Sequence, residues 1–164
     1  MKTIEKNEAK MMTDQTSTRW GPWLVLAASG LVVWPGAVFS QETGDLSSPA
    51  PKSAALYFIQ PADGEVVESP FVVKFGLRGM GVAPAGINMA NTGHHHLLVD
   101  HSGEVDLDGP LPANDQVRHF GGGQTETAVT LSPGTHTLKL VLGNHLHVPH
   151  TPAVMSDEIT VTVK

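Results

Sequence analysis

Nine histidines, all lying between His94 and His150, are the side chains of this 164-residue chain best suited to chemistry. Three are consecutive, in Gly93-His94-His95-His96-Leu97-Leu98-Val99-Asp100. Alternate side chains of a strand point to opposite faces, so His94 and His96 should share one face and His95 should occupy the other. Gly143-Asn144-His145-Leu146-His147-Val148-Pro149-His150 repeats the His-x-His device. His145 and His147 would share a face if the backbone is extended there, and Pro149 could turn His150 back towards them. His119 stands alone between these segments. A transition-metal site needs about three or four convergent donors, and neutral imidazole is a common one. The expected ligands are His96, His119, His145 and His147, followed by His94 and His150. Met80, Met89 and Met155 could add thioether donors; imidazole with thioether favours copper, and imidazole alone suits zinc or copper. Ligation requires neutral rings, so affinity should fall below about pH 6.

A plainer reading competes. A histidine in a β-domain commonly hydrogen-bonds its neighbours, and a network of that kind would pin Gly-rich loops into a non-catalytic binding or interaction module. His136 shares a face with Leu138, Leu140 and Leu142 and is expected to be structural, while His101 reads as an exposed turn residue. Methionines in loops often do no more than fill gaps. A third reading is a metal-dependent hydrolase or oxidoreductase, which needs an open site and a base. Asp100 or Glu126 could be that base, but no motif ties either to the histidines. Other motifs are weak. Asp106-Leu107-Asp108-Gly109 lacks the later ligands of a calcium loop. Gly121-Gly122-Gly123 lacks the Lys-Ser/Thr of a phosphate loop and reads as a turn with positive φ. No Gly-x-Ser-x-Gly elbow is present.

Composition narrows the partners. With no cysteine, thiolate metal sites, disulfides and Cys nucleophiles are excluded. From Gln41 onward six basic residues face thirteen acidic ones, with no basic stripe. Nucleic acid and anionic membrane surfaces are therefore not expected partners, since binding them needs Lys/Arg. An acidic surface beside many histidines instead attracts cations. The expected partner is a metal ion, with another exported protein as a second.

These side chains must be positioned by strands. Residues 1–40 read as a signal peptide: Trp20 to Ser40 is uncharged, and Val38-Phe39-Ser40 satisfies the small-residue rule before a cut at Gln41. Since about 20 apolar residues span a bilayer, an uncleaved anchor is the alternative, weakened by Pro22, Gly30, Pro35 and Gly36. The destination is therefore periplasmic or extracellular. Residues 41–54, rich in Ser, Pro, Ala and Gly, read as a flexible linker. Residues 55–164 alternate short strands with Gly/Pro/Asp turns. Strands are expected at Ala55–Ile59, Phe71–Leu77, His95–Val99, Thr127–Leu131, His136–Leu142 and Glu158–Val163. No window carries helical periodicity with caps. Six short strands argue an all-β, immunoglobulin-like antiparallel sandwich. Two long connections, Gly79–Gly93 and Ser102–Gly123, are Gly-rich loops of a length usually kept for function.

Four stretches together resemble one family. They are Gly93–Asp100, His119-Phe120-Gly121-Gly122-Gly123-Gln124-Thr125-Glu126, Leu131-Ser132-Pro133-Gly134-Thr135-His136-Thr137-Leu138, and Gly143–His150. They are similar to the DUF4399 family of exported bacterial domains over about Ala55 to Lys164. The one departure is Leu146, where a polar residue would be equally natural. The resemblance implies a compact exported β-domain and supplies no activity. The expectation is thus an exported, non-catalytic sandwich that captures, stores or delivers copper or zinc.

Overall fold

A computed structural model describes residues 45–164. The expected signal segment, 1–40, and the first residues of the expected linker lie outside the described residues. Nine strands form among the described residues: β1 (Ala55–Gln60), β2 (Val66–Val67), β3 (Phe71–Arg78), β4 (Gly81–Val82), β5 (Thr92–Val99), β6 (Val117–His119), β7 (Glu126–Val129), β8 (Gly134–Gly143) and β9 (Ile159–Val163). No helix occurs among the described residues.

Alternating apolar residues sort these strands into two sheets. One has the order β1-β3-β7; the other runs β2-β9-β8-β5-β4, with β6 also paired to β5. Neighbours are antiparallel except the short pairs β2–β9 and β4–β5. Phe71, Val73 and Phe75 of β3 point inward from the first sheet. Leu138, Leu140 and Leu142 of β8, with Val161 and Val163 of β9, point inward from the second. The result is the expected all-β sandwich. The expected strands are present, with ends shifted by a few residues. Each long connection also holds a strand that hydropathy did not reveal. β4 is two residues long and half glycine, and β6 is only Val117-Arg118-His119.

β5 is the element on which the site depends. Every residue from Gly93 to Val99 is buried. His95, Leu97 and Val99 face the sandwich interior, and both Leu97 and Val99 belong to the main core. The other face of β5 is covered as well. Leu98 packs there with Val117 of β6, Val141 of β8 and Leu111 into a second, smaller core. The connection after β5 lies over this face, and Leu98, Val105, Leu107 and Met155 line a cavity of about 440 Å³ beneath it. His94 and His96, four and two residues before Leu98, therefore lie on the outer face of the sheet, beside a covered apolar layer.

The stretch expected to be a flexible linker is tied down from Asp45 on. Ala50 N–H donates to the Thr151 carbonyl at 3.0 Å, and Thr151 N–H donates to Ser48 at 2.9 Å. The Asn144 side-chain amide donates to Leu46 O at 2.8 Å and to Ser48 Oγ at 3.0 Å. Ala50 and Ala54 pack against the main core. Backbone pairing and two small apolar side chains hold this segment; sequence composition reports neither.

Candidate metal centre

Alternation along β5 places His94 and His96 on one face, with ring centroids 4.8 Å apart. β6 adds the third imidazole. In the β5–β6 register His119 lies directly opposite His96, and directly opposite residues of an antiparallel pair present side chains to the same face. Their centroids are 5.1 Å apart, and His119 lies 4.9 Å from His94. The fourth comes from the turn after β8. There Asn144, 1% exposed, uses its side-chain oxygen to accept the N–H groups of Leu146 (2.8 Å) and Val148 (3.1 Å). The turn puts His147 in the left-handed region, φ +68°, and turns its ring towards the sheet. His147 is 4.7 Å from His119 and 5.0 Å from His94, centroid to centroid, but 6.1 Å from His96.

Two glycines make room. A Cβ on Gly143, which pairs with His94 in the β5–β8 register, would lie 2.6 Å from Cε1 of His96. A Cβ on Gly121 would lie 2.3 Å from Cε1 of His119.

One nitrogen each from His94, His119 and His147 can be chosen so that all three lie within 4.8 Å of one another. Two imidazole nitrogens bound to one tetrahedral ion at 2.0–2.1 Å stand about 3.4 Å apart, so side-chain shifts of about an ångström would close the set. His96 lies behind this trio. The three also differ in exposure: His94 is fully buried, His147 half-buried and His119 exposed.

Burial holds the innermost rings of the site in their neutral form. Both ring nitrogens of His94 and both of His96 are buried and reach no hydrogen-bond partner in the protein. A buried polar atom left unpaired costs roughly 1–3 kcal/mol, so four in one cluster call for a function. Burial pushes His94 down to about 4, with the neighbouring imidazoles of His119 and His147 adding to the effect. Burial, then His94 and His119, push His96 down to about 3. His119 is lowered by burial and by His147. At neutral pH the rings of His94 and His96 hold free lone pairs, the form a metal binds.

The other histidines are placed differently. His95 faces the core, its ring 5.1 Å from that of Phe75, and Nδ1 lies 3.2 Å from the Gln124 carbonyl. His150, expected among the second-rank ligands, is buried with Nδ1 3.3 Å from Leu142 O and Nε2 3.1 Å from Thr92 O; both its nitrogens face carbonyls. His145 does not join the clustered rings. Residues 145–147 form a turn, so the His-x-His face that an extended backbone would produce does not arise. His136 is hydrogen-bonded through both nitrogens, to the Asp100 carboxylate at 2.7 Å and to Ser132 O at 2.9 Å, and this contact with Asp100 raises its pKa. The structure thus brings together His94, His96, His119 and His147 from the expected set and leaves His145 and His150 outside.

The remaining candidates lie elsewhere. Met80 packs against the main core and Met155 against the smaller one. Asp100 is engaged by His136 and by the Thr137 N–H at 2.9 Å, and Glu126 pairs with Lys74 in the β3–β7 register. Asp106 turns Oδ1 onto the N–H groups of Asp108 (2.9 Å) and Gly109 (3.3 Å), an Asx turn that occupies the carboxylate. Gly123 has φ +81°, the turn conformation expected of the glycine triplet. Sequence reasoning missed Asn144, whose amide holds the His147 turn. An Asn beginning a turn, two residues after Leu142 closes the apolar alternation, was the available signal.

No curated protein and no solved structure matches the chain. A family model described as a domain of unknown function, DUF4399, matches residues 73–164. That stretch contains β4 to β9, nearly all of β3, and every histidine described above. The chain belongs to the DUF4399 family.

Proposed function

We propose that this protein binds one transition-metal ion, copper or zinc, through His94, His119 and His147, with His96 at the back of the site. The role is capture, storage or delivery of the ion by an exported domain, with another exported protein as the source or recipient. The observation that carries this reading is the set of four buried, unpartnered ring nitrogens on His94 and His96, within reach of the rings of His119 and His147. His136, outside the cluster, has partners at both nitrogens, and His95, which faces the core, keeps Nε2 without one; the convergence of His94 with His119 and His147 sets the cluster apart from both. An all-imidazole donor set favours zinc or copper(II), and copper(II) forms the tighter complexes in general. Thioether participation has no support in the packing of Met80 and Met155.

The deciding experiment is metal analysis of the untagged protein purified without chelator or metal resin, followed by calorimetric titration with copper(II) and zinc(II). The expected result is one equivalent bound in wild type and a large loss in His147→Ala. A folded protein that takes up neither ion overturns the proposal.

A further inference from the structure

We infer that the metal centre keeps one coordination position open on the His119 side, and that a small anionic donor from solution occupies it. The inference rests on the proposal that the site holds a metal and specifies what else binds there.

Two independent observations carry it. The first is geometric. The convergent set has three members, His94, His119 and His147, and His96 stands furthest from His147 at 6.1 Å. Closed structural zinc sites use four protein ligands, whereas three protein ligands leave a position for water or another donor. The three are also graded in exposure: the His94 end is sealed against the sheet, and the His119 end faces solvent. An incoming donor can reach the ion from the side of exposed His119 and half-buried His147, and not from that of His94.

The second is charge. Every donor in the group is an imidazole, a ligand that brings no negative charge, with no carboxylate among them. The segments that build the site, residues 79–99, 119–125 and 140–156, contain no Asp, Glu, Lys or Arg. The acidic residue that ends the first of these, Asp100, is already committed to His136 and Thr137. A divalent ion held by neutral rings therefore keeps its full double charge in a partly desolvated setting, where charge interactions are stronger than in water. A small monoanion with an oxygen, nitrogen or halide donor atom offsets that charge. The step is a ligand substitution: the anion's lone pair replaces a water on the ion, and no electrons are transferred.

The test loads the purified full chain with one equivalent of copper(II), removes excess metal by gel filtration and titrates with sodium azide, using sodium perchlorate at equal ionic strength as a non-coordinating control. Expected is a charge-transfer absorption that grows to saturation at one azide per copper, with perchlorate silent. Copper retained by wild type but lost by His147→Ala, with a spectrum unmoved by azide, overturns the open position while leaving the metal proposal standing. Failure of wild type to retain copper, or equal retention by a folded His147→Ala, overturns the metal proposal and this inference with it.

Discussion

His96 and His119 sit directly opposite one another in the β5–β6 pair, their ring centroids 5.1 Å apart. This cross-strand register places an imidazole from a three-residue strand over the buried histidines of β5, because opposite residues of an antiparallel pair share a face. The register also places Val117 opposite Leu98, so the apolar layer beside the site fixes the position of His119. The strand that carries exposed His119 is thus anchored by Val117, 2% exposed, two residues away.

The ligand variants should separate cleanly. His94→Ala, His119→Ala and His147→Ala should each weaken metal binding by more than the roughly 10- to 100-fold that loss of an outer-sphere partner costs. His145→Ala should lose no more than about tenfold, the lower end of what an outer-sphere partner costs, since its ring lies outside the cluster. Competition titration against a chelator of known affinity checks the order. Equal losses from His145→Ala and His147→Ala would contradict the assignment.

The two glycines predict different outcomes from the same added methyl. At Gly121 the Cβ meets the ring of exposed His119, which can swing aside. Gly121→Ala should therefore change the urea midpoint little and lower metal affinity at least tenfold by displacing a ligand. At Gly143 the Cβ meets the ring of buried His96, and the His147 Cα lies only 3.3 Å away. Neither can move freely, so Gly143→Ala should destabilise the fold by about 1–3 kcal/mol, as overpacking does, in addition to impairing binding. Chemical denaturation and metal titration of both variants distinguish the cases.

The site's composition was legible in the sequence, but its convergence was only partly so. Strand alternation forecasts that His94 and His96 share a face and that His95 does not, and the fold obeys it. The same rule at His145 and His147 depended on an extended backbone, and the Asn144 side chain builds a turn there instead. His119 was visible as a donor but not as part of a strand, because β6 is too short to show alternation. Its pairing with β5 is a long-range contact that no local pattern encodes. The strands of the sandwich were readable because Phe71, Val73 and Phe75, or Leu138, Leu140 and Leu142, repeat every second residue. The anchoring of Asp45–Ala54 was not, since it rests on backbone bonds that any residue can make and on the amide of Asn144, which is distant in sequence.

The His136–Asp100 pair should contribute stability over a bounded pH range. His136 is raised from 6.5, chiefly by its hydrogen bond to Asp100. Its contribution is fully present below 6.5 and is lost as pH rises through the higher folded value. Asp100 is pushed up by burial, but the bonds from His136 and Thr137 outweigh this and leave it below 3.8. That contribution is present above 3.8 and is lost as pH falls through the lower folded value. Asp100→Asn should therefore be less stable than wild type by the widest margin between about pH 4 and 6.5, and the gap should narrow as pH rises beyond that. Thermal melts of both proteins across pH 3 to 9 give the comparison; a gap independent of pH would show that the ion pair is not its source.

The metal-free protein should be acid-labile well above the range where carboxylates titrate. His94 and His95 are held at about 4 and His96 at about 3, in each case chiefly by burial, against 6.5 in the unfolded chain. Between these limits the unfolded chain takes up protons that the folded protein refuses. Their contribution to stability is therefore intact above 6.5, declines as pH falls through the interval and is fully lost below the folded values. One such histidine gives a slope of about 1.4 kcal/mol per pH unit, so three together can reach about 4 kcal/mol per unit. A bound metal adds stability near neutrality in proportion to the logarithm of its free concentration over Kd. Protons compete for the same ring nitrogens, so that added stability should shrink as the pH falls. Urea midpoints measured from pH 7.5 to 4.5, with and without copper, should show a steep decline for the metal-free protein and curves that converge towards the acid end. His95→Leu removes one buried imidazole that lies outside the metal cluster. It should flatten the metal-free slope by up to about 1.4 kcal/mol per pH unit and leave the copper effect at pH 7.5 in place. A metal-free midpoint that stayed level down to pH 4.5 would mean that these rings are not held neutral in the fold.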